Sequence, residues 1–144
     1  KFPDIQLVDP KRYAGPTRST AQEASENLLT ADSNVQGIFC PNESSTFGML
    51  LALRSRGLTG KIHFVGFDAS PGLVEALAKG DLAGLVVQTP MKMGYIGVKT
   101  AVDSLRGKTV EPLQDTGVVL VTKETMNQAE YKELLSPDLS KYLD

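Results

Sequence analysis

Three side chains with strong hydrogen-bonding capacity stand at matching places in the sequence. Asn42 follows the apolar run VQGIFCP, Asp68 ends the run IHFVGFD and Gln88 ends the run LAGLVVQ. If these runs are neighbouring strands, their ends share one rim of a sheet, where open α/β folds bind ligands. An amide, a carboxylate and a second amide can donate to and accept from several hydroxyls at once, which suits a polyhydroxylated ligand. Phe67, just before Asp68, adds an aromatic face for the C–H side of a ring. The competing local role for Asn42 and Asp68 is to cap the helices that follow, for which Asn and Asp are favoured. Three such residues in register favour the rim over capping taken singly.

Other chemistries lack material. His63 is the single histidine and lies inside a strand-like run, so neither a Ser-His-Asp triad nor a multi-histidine metal site is expected. Cys40 sits in an apolar run beside Pro41 and reads as a small buried hydrophobe. Glycine-rich phosphate loops of the G-x-x-x-x-G-K-[ST] and G-x-G-x-x-G types are absent. Asp68 has no second carboxylate beside it for acid/base work, because Glu43 and Asp81 belong to other element starts. No enzyme activity, metal or cofactor is expected. Fifteen Lys and Arg against seventeen Asp and Glu, spread without blocks, argue against a nucleic-acid partner or a polybasic membrane patch. At 144 residues, with 41% apolar and 22% charged content, the chain has the size and composition of one globular domain. No apolar run approaches the ~20 residues that span a bilayer, and no leader-like pattern opens the chain.

The elements that must carry the rim alternate between strand-like and helix-like patterns. Candidate strands are Ile5–Asp9, Val35–Pro41, Ile62–Asp68, Leu82–Gln88 and Gly117–Glu124, and those between 35 and 88 are almost continuously apolar, as strands of a covered parallel sheet are. Ser19 and Thr20, with Gln22 and Glu23 three residues on, predict a capped helix with Ala24, Leu28 and Leu29 inward. A second helix after Asn42 presents Phe47, Leu50, Leu51 and Arg54 and stops at Gly57. A third starts at Ser70-Pro71, carries Val74, Leu77 and Ala78, and ends at Gly80. The longest spans about Met93–Arg106 with Tyr95, Val98, Val102 and Leu105 on one side, and a last helix, capped by Thr125 with Gln128, carries Tyr131, Leu134 and Leu135. The sum is an α/β fold with helices on both faces of a mostly parallel sheet.

The ordered set PNESSTFGMLLALRSRG (41–57), VGFDASPGLVEALAKGDLAGLVVQTPMKMGYIGVKTAVDSLRGKTV (65–110) and VVLVTKETM (118–126) closely resembles the carboxyl-terminal half of the ribose-type periplasmic sugar-binding proteins of ABC transporters. That resemblance implies a two-lobed, non-catalytic protein, exported or periplasmic, which closes on a monosaccharide and delivers it to a membrane permease. It also implies that Asn42, Asp68 and Gln88 bond the sugar hydroxyls and that Phe67 packs on the ring. Two departures stand out. Glu43 replaces the usual aspartate, and YAGPTR (13–18) offers Tyr13 and Arg18 as weaker ligand candidates but places Pro16 in the family's aromatic slot, so the ligand need not be ribose.

By the same mapping the chain starts inside the carboxyl-terminal lobe, after its first strand and helix. Residues 1–90 and 118–144 belong mainly to that lobe, and 91–117 to the amino-terminal one. The chain is then expected to be a fragment, with its leader and amino-terminal half elsewhere. The apolar side of the Tyr95–Leu105 helix is expected to be exposed or covered by another copy in a swapped dimer. The effector-sensing domain of lactose-repressor-like transcription regulators shares much of the motif set and is the alternative reading. The sugar, the permease and the oligomeric state are not legible in the sequence.

Overall fold

The computed structural model describes residues 2–8 and 11–141. Its centre is a four-stranded sheet in the order β1 (Gly37–Phe39), β2 (His63–Phe67), β3 (Gly84–Gln88) and β4 (Val118–Val121). The first three run parallel, with Ile38 opposite Phe64 and Gly66 opposite Leu85; β4 returns antiparallel, with Gln88 opposite Val118. The mostly parallel α/β architecture read from the sequence holds, although each strand is shorter than its apolar run.

Helices α1 (Arg18–Ala31), α2 (Glu43–Ser55) and α3 (Pro71–Lys79) precede or link the parallel strands. Their buried lines differ in phase from the expected ones. In α1 the inward residues are Ala21, Ser25 and Leu29, in α2 they centre on Met49, Leu50, Ala52 and Leu53, and in α3 on Leu73, Ala76 and Leu77. The small residues set the phase: a Cβ on Gly48 would lie 2.6 Å from both Ala21 Cβ and Gln22 N, so α1 and α2 meet through a glycine and an alanine. Phe64, Leu85 and Val121 of the sheet close the same core.

Several ends move from their expected places. The cap of α1 is Thr17, whose hydroxyl accepts from Thr20 N while Thr20 Oγ1 accepts from Thr17 N, so Ser19 and Thr20 lie inside the first turn. Helix α4 (Pro90–Leu105) begins at the proline, earlier than Met93, since proline is pre-set for a first helical position. Thr125 does not cap the last helix, α5 (Ala129–Leu135): its hydroxyl accepts from Thr122 N in the turn that ends β4. A short 3₁₀ turn, Leu139–Lys141, follows.

The strand expected at Ile5–Asp9 does not form across residues 5–8, and Asp9 lies outside the described residues. Among the described residues no strand pairs with this segment. Ile5 N instead donates to Phe2 O at 3.2 Å, and Ile5, Leu7 and Val8 are exposed. Helix α4 buries no residue, and Tyr95, Val98 and Leu105 stand in solvent.

Candidate functional site

The parallel strands end on a common rim, where Phe67 and Gln88 are the last residues of β2 and β3 and Asn42 and Asp68 lie in the turns beyond β1 and β2. Asn42 is the N-cap of α2: its Oδ1 accepts from Ser45 N at 2.9 Å and from Ser44 Oγ at 3.1 Å. Capping and rim placement therefore coincide at Asn42. The cap uses only its oxygen, and the exposed amide nitrogen is left for a further acceptor.

Asp68 does not cap α3. It sits just beyond β2 with φ +66°, the one non-glycine residue at positive φ among the described residues. This left-handed conformation suits Asp and Asn better than other side chains, because their short polar groups bond locally. Asp68 N donates to Val86 O at 2.8 Å, which holds the turn against β3. Its Oδ1 accepts from Gln88 Nε2 at 2.8 Å. The carboxylate and the amide that the sequence set at two strand ends are thus already paired, and this bond uses one carboxylate oxygen of Asp68 and the amide nitrogen of Gln88. Phe67, Asp68 and Gln88 are all half-buried.

A fully buried threonine joins the two turns, and the sequence pattern alone did not single it out. Thr46 Oγ1 accepts from Phe67 N at 2.9 Å and donates to Asn42 O at 2.8 Å. The hydroxyl continues the β1–β2 ladder where β1 has ended, so Phe67 N keeps a partner. Gly66 makes room for it, since a Cβ there would lie 2.2 Å from Thr46 Cγ2.

The weaker candidates fall elsewhere. Arg18 points its guanidinium at the Glu43 carboxylate and lies over the Phe47 ring, 4.0 Å from its centroid. Ser70 completes this cluster by donating to Glu43 Oε1 at 2.9 Å. Tyr13 is 91% exposed. It borders a groove of about 470 Å³ that follows the open edge of β1 and is lined also by Pro16, Phe39, Cys40 and Asn42. Asp68 and Gln88 do not line that groove, so the structure places Tyr13 beside Asn42 but not with the Asp68–Gln88 pair.

Cys40 is buried, and burial pushes its thiol up to about 12 despite a hydrogen bond with Ser45 that acts the other way, so it is held as a neutral core group. His63 is an exposed strand residue, and Asp81 is engaged by Arg54 at 2.7 and 3.0 Å. Among the described residues no group of three or more His, Cys, Asp or Glu is placed to hold a metal ion.

Comparison with known proteins agrees with this architecture. The ribose import binding protein RbsB of Escherichia coli is 36% identical over 99 residues, covering 69% of this chain and 33% of that protein. Among solved structures, an ABC transporter solute-binding protein from Agrobacterium vitis with bound D-fucose superposes with a TM-score of 0.83 at 37% identity, over 90% of this chain and 44% of that one. A carbohydrate transporter solute-binding protein from Agrobacterium radiobacter in complex with D-arabinose gives a TM-score of 0.80 at 35% identity, over 86% and 42%. The chain therefore spans about a third of the curated relative and less than half of the solved ones. The periplasmic binding protein domain matches residues 1–109, and the chain belongs to that family.

Proposed function

We propose that this chain supplies one side of the monosaccharide cleft of an ABC-transporter solute-binding protein. The observation that carries the reading is the rim itself. Asn42 and Asp68 follow β1 and β2, Gln88 ends the adjacent parallel β3, and Asp68 and Gln88 are held together before any ligand arrives. Groups fixed in advance lose less freedom on binding. Asn42 donates from its free amide nitrogen, Asp68 accepts hydroxyl protons, Gln88 accepts through its carbonyl, and Phe67 offers an apolar face. Relatives named for ribose and solved with D-fucose or D-arabinose support a free pentose or hexose as the ligand.

The rest of the cleft belongs to residues beyond this chain. Residues 91–117 reach into the second lobe, and the chain from 118 to 141 returns to the first. The apolar side of α4 is covered there by the amino-terminal half of the protein; in its absence a second copy takes that place. The sugar touches both lobes and favours closure only through its higher affinity for the closed form. The closed protein docks on a membrane permease, and the whole acts in the periplasm or outside the cytoplasmic membrane, without turnover.

The test is calorimetric titration of the protein, as its source produces it, with ribose, fucose and arabinose. Asp68→Asn keeps a residue that tolerates positive φ, so the turn survives while the charge is lost. It is expected to cost roughly 1.5–3 kcal/mol of binding, against ~0.5–1.5 kcal/mol for Gln88→Ala. Unchanged affinity in Asp68→Asn rejects the assignment. Binding of a sugar phosphate or purine by a protein that carries an upstream helix-turn-helix would move the rim to a transcriptional sensor instead.

A further inference from the structure

We infer that Glu43 is a positioning residue, which sets the spacing between Asn42 and Asp68 by tying the starts of three helices to one carboxylate. Arg18 is the first residue of α1, Glu43 the first of α2, and Ser70 the N-cap of α3. Glu43 Oε2 accepts from Arg18 Nε at 3.3 Å, and Oε1 accepts from Arg18 Nη2 and from Ser70 Oγ at 2.9 Å. Ser70 makes no side-chain bond to its own helix, so its hydroxyl is spent on the link and not on the cap it would ordinarily form.

An apolar contact runs beside the polar one. Phe47, one turn along α2, lies under the Arg18 guanidinium. It also meets the first turn of α3 so closely that a Cβ on Gly72 would sit 2.8 Å from Phe47 Cε2. Polar and aromatic links thus join the same three helix starts. Asn42 directly precedes Glu43, and Asp68 lies two residues before Ser70. Any slip of α3 against α2 therefore changes the distance between the two rim residues.

Burial raises the cost of a charge at Glu43, but the hydrogen bonds from Arg18 and Ser70 and the Arg18 charge outweigh it and hold the carboxyl below its ordinary range. A charged acceptor is thus kept at the first turn of α2, where the helix dipole also favours it.

The role rests on the sugar-binding reading, so the experiment has one arm that depends on it and one that does not. In the protein as its source produces it, Glu43→Ala is expected to raise the Kd for ribose, fucose or arabinose about tenfold, since charge-assisted bonds are removed. Its thermal midpoint should move by only a few degrees, because exposed ion pairs contribute little to stability. Glu43→Gln, which keeps an acceptor for both donors, should recover most of the affinity. A merely structural residue would lower the midpoint and leave the Kd of the folded protein alone. Unaltered affinity in Glu43→Ala overturns the inference. If the parent protein binds none of these sugars, the sugar-binding reading fails and hydrogen exchange still decides the link. The amides of Leu73 and Val74, which donate to Ser70 O, should exchange about tenfold faster in Glu43→Ala, and unchanged exchange overturns the inference.

Discussion

Asp68 holds a backbone conformation that most side chains avoid, and it holds it beside an amide twenty residues away in sequence. Such outliers persist where the surroundings over-determine them, and here the Val86 carbonyl and the Gln88 amide do so. The type and chain position of Asn42, Asp68 and Gln88 were readable, because a strand end followed by a helix start fixes where a residue must sit. The pairing of Asp68 with Gln88 was not, since a helical-wheel or alternation pattern carries no distance between separate segments. Thr46 was hidden for the same reason: its spacing from Asn42 reads as an ordinary first-turn threonine, and its value lies in a partner on β2. Thr46→Val keeps the shape, removes the hydroxyl and leaves Phe67 N without an acceptor. An unsatisfied buried group costs about 1–3 kcal/mol. Urea unfolding should show a loss of that size, and a loss below ~0.5 kcal/mol would mean that water or a shifted backbone replaces the hydroxyl.

Helix existence was legible from caps and glycine stops, whereas the inward face was not. In α2 the helical spacing set Phe47, Leu50, Leu51 and Arg54 on one face; Leu50 is buried as expected, but the buried line continues through Gly48, Met49, Ala52 and Leu53. The cause is the neighbour. Helix α1 approaches so near that only glycine fits at 48, and a periodicity count cannot see a second helix. Gly48→Ala separates the two effects. In an isolated helix alanine gains ~1 kcal/mol over glycine. Against α1 the new methyl meets both a side chain and a backbone nitrogen at 2.6 Å, and overpacking of this kind costs about 1–3 kcal/mol. The net expectation is a lower urea midpoint; a higher one would show that α1 can move aside. The end of α4 makes a different prediction. Lys108 and Lys99 donate to Asp103 and hold its carboxyl down to about 2 from an ordinary 3.8. Because the folded value is the lower one, this contribution is present above the ordinary value and is lost as pH falls through about 2. An NMR titration of the Asp103 carboxyl should therefore show its midpoint near 2, and a midpoint at the ordinary value would mean that the two lysines do not hold it.

At the scale of the molecule, burial divides the chain more sharply than sequence composition does. The core from Leu29 to Leu135 is assembled by α1–α3, the sheet and α5, while α4 buries nothing and no strand among the described residues pairs with the Ile5–Val8 segment. The apolar stripe of α4 was legible, but what it faces was not, because an amphipathic pattern is the same whether its partner lies in the chain or outside it. Tyr95, Val98 and Leu105 are 70%, 69% and 88% exposed. Patches of this kind favour association. If the 144 residues are prepared alone, Val98→Lys with Leu105→Lys should leave the thermal midpoint within a few degrees, since neither side chain supports the core. Sedimentation should show the parent chain associating and the double variant monomeric. If α4 meets the amino-terminal half and the protein binds sugar, as proposed above, the same two lysines in the intact protein should lower both stability and sugar affinity. Equal tolerance in the two settings would mean that nothing covers α4 in the intact protein, and the second lobe would have to be built without it.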